Sequence, residues 1–293
     1  MTVSTLTLSV PIAGPAAVSP LVRPLAEGLA AALPARGGES WTVEPYRAWW
    51  TWEPAARLVQ GDRALVVVAD GPWDAAVAWQ LPDREPSAPD LRVGCHDAAR
   101  VARAVLRLVL PVLDDELAGR AAPGAPMVVG RLETLNEIGH AMRQRGMVTH
   151  NHAVGVFPNS SVLAWGTPGG VRYTVTMHGT NPVCDFGVTG PVRAVERVLP
   201  YFLPEPVAGM PRHPLRGVRG RLSRRLAAHL GQFAPVEQLE EGGLAIGAAT
   251  GPYGYVSPAL DPTARVRDTS PAGAELHGVG VDLLLSVADQ MVR

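Results

Sequence analysis

Residues 161–177, SVLAWGTPGGVRYTVTM, contain two apolar runs separated by the turn-forming letters PGG at residues 168–170. Proline presets φ and glycine tolerates positive φ, so these letters favour a tight turn between two strands. The runs 161–165 and 171–177 are therefore predicted to form an antiparallel hairpin.

The same pattern occurs twice more in the chain. Residues 64–68 and 75–80 flank the letters DGP at 70–72, and residues 244–248 and 253–257 flank TGP at 250–252. Each hairpin is preceded by an amphipathic helical run that stops at glycine and by one further strand. After each hairpin, a short strand and a final helix are expected. Polar N-caps are predicted for these final helices at Asp97, Thr189 and Ser270.

This recurrence predicts an α+β protein of three similar units, each consisting of a helix, a four-stranded antiparallel sheet and a helix. The units are expected at residues 1–113, 127–204 and 212–293, with Gly-, Ala- and Pro-rich linkers between them. Residues 65–68 are apolar on both strand faces, which predicts a sheet covered on both sides and units that pack on one another.

The order of elements in residues 161–199 and 244–285 resembles the tandem domains of unknown function that are common in streptomycete proteins. Those domains have a similar helix, strand meander and capped final helix. The resemblance implies the fold alone, because that family has no assigned activity and brings no catalytic motif.

The amino-acid composition excludes or disfavours several classes of function. The 293 residues are 47% hydrophobic and 18% charged with net charge −1, which excludes a disordered tail and argues against a nucleic-acid polyelectrolyte. Every basic residue is arginine, so P-loop and Schiff-base lysines are excluded, and the composition is typical of a GC-rich bacterial genome. No signal peptide or membrane span is predicted, and two distant cysteines indicate no disulfide, so a cytoplasmic protein is expected.

The middle unit concentrates reactive side chains. His150 and His152 are two residues apart on a predicted strand and therefore face the same side, which suits a metal ion. His178, Cys184 and Asp185 are the candidate catalytic residues, with Cys184 as a nucleophile near a histidine base. The alternative is a polar strand face followed by an ordinary turn.

Two further segments are candidate partner-binding surfaces. Tyr46, Trp49, Trp50 and Trp52 crowd one short segment of the first unit, either as a partner anchor or as a plug between sheets. Six arginines without an acid lie between residues 212 and 225, among them Arg216, Arg221 and Arg224. They can meet phosphate or an acidic surface, but on a helix they also fit a solvated face opposite leucines.

The function expected from these features is non-enzymatic binding or assembly through the aromatic or arginine-rich surface. The alternatives are a hydrolase or metal-dependent enzyme in the middle unit and a nucleic-acid accessory protein. The expected partner is a protein or small molecule, with nucleic acid and membrane disfavoured. The sequence specifies neither a cofactor nor an oligomeric state.

Overall fold

The computed structural model describes residues 17–120, 127–153, 159–206, 217–247, 250–258 and 265–292. The side chains of residues 127–129, 152 and 153 lie outside this description. The helices are α1 Arg23–Ala32, α2 Ala98–Leu108, α3 Leu110–Arg120, α4 Met127–Gln144, α5 Val192–Val198, α6 Arg221–Leu230, α7 Val281–Ser286 and α8 Ala288–Val292, with a short 3-10 turn at Leu199–Tyr201.

Local signals place some of these helices as predicted. The Asp97 carboxylate accepts a hydrogen bond from the Ala99 amide at 3.1 Å, so it caps α2. Helix α6 ends at Gly231, as predicted. Thr189 and Ser270 cap no helix, because the chain around each of them runs in an extended strand or leads into one.

The smaller sheet has five antiparallel strands in sequential order. They are β1 Thr42–Tyr46, β2 Ala55–Gln60, β3 Arg63–Asp70, β4 Asp74–Gln80 and β5 Leu91–Val93. Strand β3 is apolar along almost its whole length, and both of its faces are buried. One face joins the main core beneath α1 and α2, while the other is covered by the segment that connects β1 to β2.

The larger sheet has eight antiparallel strands in the order β10-β11-β12-β13-β9-β8-β7-β6. They are β6 Thr149–Ala153, β7 Ser160–Gly166, β8 Arg172–His178, β9 Val183–Pro191, β10 Val236–Gln238, β11 Leu244–Gly247, β12 Tyr253–Pro258 and β13 Pro271–Gly280. Two four-stranded meanders thus join edge to edge through the antiparallel pair β9 and β13, here called the seam.

The α+β class is confirmed, but three separate four-stranded units are not what the chain forms. The first sheet contains an additional strand, Ala55–Gln60, which the sequence analysis missed. The second and third sets of strands share one sheet, because hydrogen bonding across the seam satisfies two edges that would otherwise be unpaired. The proposed domain boundaries stay a prediction.

The helices lie between the two sheets. Helix α2 contacts β5 of the smaller sheet and β13 of the larger one, and α3 likewise contacts β4 and β13. Helices α4 to α7 also pack on the inner face of the larger sheet, and one hydrophobic core extends through all of these elements. The outer face of the larger sheet therefore remains available for polar residues.

A buried ion network also joins the two sheets. Arg63 on β3 donates hydrogen bonds of 3.2 and 2.5 Å to the carboxylate of Asp282 on α7, which is 1% exposed. Arg36 contacts the same carboxylate at 3.1 Å and Glu137 on α4 at 2.9 Å. The carboxylate of Asp114 on α3 lies 3.0 Å from Arg63 Nε. The two groups are close enough for an ion pair but are not aligned for a hydrogen bond. Several elements distant in sequence thereby share one charge network.

None of the helices within the described residues is long and apolar enough to cross a membrane.

Candidate functional site

Three tryptophans are exposed at one end of the smaller sheet. The loop between β1 and β2 and the turn between β3 and β4 lie at the same end, held together by a 3.1 Å hydrogen bond from the Ala69 amide to the Pro54 carbonyl. Trp49 and Trp52 in the loop are 65% and 92% exposed, and Trp73 in the turn is 77% exposed. We refer to Trp49, Trp52 and Trp73 as the tryptophan end.

The residues of the predicted aromatic segment lie in two different environments. Tyr46 and Trp50 pack on the second apolar cluster, which lies on the outer face of the smaller sheet. The Tyr46 hydroxyl also donates to Glu85, and burial together with that carboxylate raises the pKa of Tyr46. Trp49 and Trp52 point into solvent. Tyr46 and Trp50 therefore cover the outer face of one sheet and do not plug a junction between sheets. The partner anchor stays a prediction for Trp49 and Trp52, and the exposed Trp73 was not included in it.

The arginine-rich stretch does not form a convergent site in the described residues. Arg221 and Arg224 are exposed on α6, opposite the leucines that face the core. Arg225 is engaged by Glu196 at 2.6 Å and Asp268 at 2.8 Å. Arg216 lies outside the described residues. This geometry fits the solvated helix face that the sequence analysis gave as the alternative.

A histidine and carboxylate cluster lies on the outer face of the larger sheet, at the seam. Asp185 on β9 is contacted on both carboxylate oxygens: Oδ2 lies 3.0 Å from His178 Nε2 and Oδ1 lies 3.0 Å from His277 Nδ1. Glu275, two residues before His277 on β13, completes the group. We call Asp185, His178, Glu275 and His277 the seam cluster.

A β-bulge sets the position of His277. The register of β9 and β13 shifts between Leu276 and Val279, and Gly278 inside the shift has φ +69°. A residue with a Cβ would be strained there, whereas glycine adopts this conformation freely. The bulge leaves His277 opposite Asp185. On its other side, the rings of Tyr253 and Tyr255 lie 5.5 and 5.9 Å from the His277 ring.

Cys184 must be removed from the predicted catalytic group. Successive residues of a strand point to opposite faces, so Cys184 lies in the core beneath the sheet while Asp185 lies above it. Its Sγ donates to the Val279 carbonyl at 3.2 Å. Burial raises the pKa of the thiol to about 12, which disfavours the thiolate that a nucleophile requires. His178 and Asp185, in contrast, lie 3.0 Å apart, and a catalytic role for them stays a prediction.

The predicted metal pair lies apart from this cluster. His150 is exposed on β6, and the side chain of His152 lies outside the described residues. Residue 152 pairs with Val162, Val162 with Thr176, and Thr176 with Asp185, so three strand spacings separate it from the cluster. At about 4.8 Å each, these amount to roughly 14 Å. The predicted pair and the seam cluster therefore cannot share one metal ion.

A cavity of about 1100 Å³ runs beside the cluster, between α6 and strands β12 and β13. Its wall includes Tyr255 and Glu275 at the cluster and extends to Arg219 and Gln238. A small molecule in this cavity would therefore lie beside Tyr255 and Glu275.

Comparison of the chain with protein-family models, curated proteins and solved structures finds no match. The assignment of a function therefore depends on the side-chain geometry alone.

Two seam-cluster residues, Glu275 and His277, were missed from the sequence. They lie in a segment that was interpreted as a helix beginning after Ser270, whereas it is the strand β13. Residues 272–276, AGAEL, place apolar side chains at every second position, and this two-residue period is the signal that could have identified a strand.

Proposed function

We propose that this chain is a non-enzymatic, cytoplasmic bacterial protein that binds a partner protein through the tryptophan end. The observation that supports the proposal is the exposure of Trp49, Trp52 and Trp73 at 65%, 92% and 77%. Tryptophan is highly buried on average in folded proteins and is the residue most enriched among interface hot spots. Three such side chains at one end of a sheet are best explained by a partner that covers them.

The size of this surface suits a protein interface. An aromatic side chain buries about 150–250 Å² when it is covered, so three tryptophans account for roughly 500 Å². A standard interface buries about 800 Å² on each partner. The tryptophan end therefore supplies the apolar centre of an interface and leaves room for a polar rim.

The charges around the tryptophan end favour a protein over nucleic acid. Arg47 lies 5.5 Å from the centre of the Trp52 ring, and Arg92 is paired with Asp70. Arginines that are already paired or stacked, beside an exposed acid such as Glu53, do not form the continuous positive track that a phosphate backbone needs. A mixed rim of this kind is typical of protein partners.

The recurring order of helix, strands and helix supports a triplicated α+β scaffold and, with it, the relationship to streptomycete domains of unknown function. The repeated units of such a scaffold can differ in function. Among the described residues, exposed tryptophans lie only in the first unit.

One alternative function has an observation in its favour. His178 and Asp185 are paired in the open on the face of the larger sheet, an arrangement in which a carboxylate orients a histidine base. A hydrolase or metal-dependent enzyme acting on small molecules would use this pair. It would do so without Cys184, which faces the core.

Site-specific photo-crosslinking tests the proposed function. A photo-reactive phenylalanine derivative is placed at Trp52 or at Trp73, and in control proteins at Leu21 or at Val148, which are exposed elsewhere. We expect both tryptophan positions to crosslink the same protein, a second copy of the chain included, and the controls not to. The Trp49→Ala, Trp52→Ala, Trp73→Ala variant should bind that protein at least 10-fold more weakly. Equal crosslinking at test and control positions would refute the proposal.

A further inference from the structure

We propose that the seam cluster binds one divalent transition-metal ion of the zinc type through His277 Nδ1, Asp185 Oδ1 and a carboxylate oxygen of Glu275. This site is distinct from the tryptophan end and does not depend on its function. It also differs from the His150 and His152 pair that the sequence suggested.

The ligand atoms are already close enough to share an ion. One ligand atom from each of Asp185, Glu275 and His277 forms a set in which all atoms lie within 4.8 Å of one another. Two ligands on one zinc ion, each at about 2.0–2.2 Å and at the tetrahedral angle, are about 3.4 Å apart. His277 Nδ1 and Asp185 Oδ1 lie 3.0 Å apart, which is about 0.4 Å closer than two ligands of one zinc ion. A small opening of this contact and a torsion change in the exposed Glu275 side chain would bring the three ligands onto one ion.

Two glycines on the seam strands give the cluster residues their space and position. Gly187 pairs with Glu275 across the seam, and a Cβ at residue 187 would lie 2.3 Å from Thr174 Oγ1, so a larger residue would displace the Thr174 side chain. The absence of a side chain at residue 187 leaves Glu275 room to lean toward Asp185. The bulge at Gly278 gives His277 its position on the other side. Bulges of this kind re-aim side chains beside functional sites.

The charge of the cluster also favours a cation. Among the described residues, Asp185 is paired only with histidines and Glu275 has no ion-pair partner. With neutral histidines the cluster carries two negative charges on neighbouring strands, and no arginine of the described part compensates them. A divalent cation would neutralise both carboxylates at once.

The donor set selects the kind of metal. One imidazole nitrogen and two carboxylate oxygens suit zinc, manganese, iron or cobalt better than calcium, which prefers oxygen alone, or copper(I), which prefers sulfur. His178 contacts the second oxygen of Asp185 and so orients the carboxylate, as the outer partners of metal ligands commonly do. Three protein ligands leave a fourth position for a water molecule or a small molecule.

The test uses the full chain without a polyhistidine tag, treated with a chelator and then dialysed. Zn²⁺ is titrated by calorimetry, and Co²⁺ binding is followed by its visible absorption bands. We expect one equivalent of metal per chain and a higher melting temperature with Zn²⁺ than without it. His150→Gln is the matched control, because His150 is exposed on the same sheet but outside the cluster. It should bind like the unmodified protein.

Asp185→Asn and His277→Gln should each weaken binding by at least 100-fold, while His178→Gln should weaken it by about 10- to 100-fold. Circular dichroism of each variant verifies that it is folded, and two independent ligand variants keep the test valid if one is not. The Trp49→Ala, Trp52→Ala, Trp73→Ala variant should retain the metal. No stoichiometric uptake by the unmodified protein, or uptake unchanged in both Asp185→Asn and His277→Gln, would overturn the proposal.

Discussion

The two sheets differ in what covers their outer faces. Strand β3 of the smaller sheet, RALVVVAD, is buried on both sides, and the segment after β1 closes its outer face. Strand β8 of the larger sheet, RYTVTMH, alternates between buried and partly exposed residues, and its outer face stays open. A sheet closed on both sides can present functional side chains only at its ends, whereas an open sheet can present them on its face.

The placement of the candidate sites follows this difference. The tryptophan end is formed by connections beyond the ends of β1 and β3. The seam cluster is formed in the middle of a sheet face, where two meanders meet. The same local arrangement of helix and hairpin thus supports two kinds of surface, depending on whether alternate strand residues are apolar or polar.

The largest effect is expected where the two sheets are joined. Asp282→Ala leaves the buried Arg63 and the partly exposed Arg36 without their shared carboxylate. Breaking a buried pair in this way costs about 3–5 kcal/mol of the free energy of unfolding. Asp289→Ala, which removes an exposed ion pair with Arg145, should cost at most about 1 kcal/mol. Urea denaturation measures both, and similar losses in the two variants would show that the junction does not depend on the network.

The same junction should also respond to pH through Asp114. Burial, together with the charge of Asp282, raises the pKa of Asp114 from 3.8 to about 6. The folded state thus holds this proton more tightly than the unfolded state, so the contribution to stability is complete below about pH 4 and is lost as the pH rises through 6.

Asp114→Asn removes this titration. A rise of the pKa from 3.8 to about 6 corresponds to about 3 kcal/mol, so at pH 8 we expect the variant to be more stable than the unmodified protein by up to that amount. The advantage should shrink as the pH falls toward 4. Urea denaturation at a series of pH values provides the measurement, and an advantage independent of pH would contradict the assignment.

A reciprocal pair of substitutions tests the difference between the two outer faces. Val66→Thr places a hydroxyl in the closed apolar cluster of the smaller sheet and should cost about 1–2 kcal/mol of unfolding free energy. Thr176→Val on the open face of the larger sheet should change it by less than about 0.5 kcal/mol. Thermal unfolding distinguishes the two, and equal costs would mean that both outer faces are equally covered.

The smallest effect is expected at the tryptophan end. Trp52→Ala should change the free energy of unfolding by less than about 0.5 kcal/mol, because the side chain is 92% exposed. Trp50→Ala, two residues earlier, removes packing from the second apolar cluster and should cost more. Chemical denaturation measures the unfolding free energy of both variants. A larger loss in Trp52→Ala than in Trp50→Ala would contradict this account.

The sequence predicts some of the local features. The mixture of helices and hairpins, the Asp97 cap and the helix end at Gly231 all depend on residues near one another in the chain. The opposite faces of Cys184 and Asp185 also follow from strand alternation, and stricter use of that rule would have excluded the thiol.

The seam was not predictable in the same way. It pairs residues such as Phe186 and Leu276, which are 90 positions apart, and no local signal specifies that pairing. The polar caps predicted at Thr189 and Ser270 were overridden at the two strands that form the seam. Long-range strand pairing outweighed local propensity there, and the seam cluster was hidden for the same reason.

The central claim is that β9 and β13 pair in the register that brings Asp185 to His277. Thr189 and Gly273 face each other in that register, and a Cβ on residue 273 would lie 3.4 Å from Thr189 Cγ2. The Thr189→Cys, Gly273→Cys variant should therefore form an intramolecular disulfide on mild oxidation. The Thr189→Cys, Glu275→Cys control, two residues out of register, should remain reduced. A disulfide in the control, or none in the test pair, would contradict the seam and the cluster that depends on it.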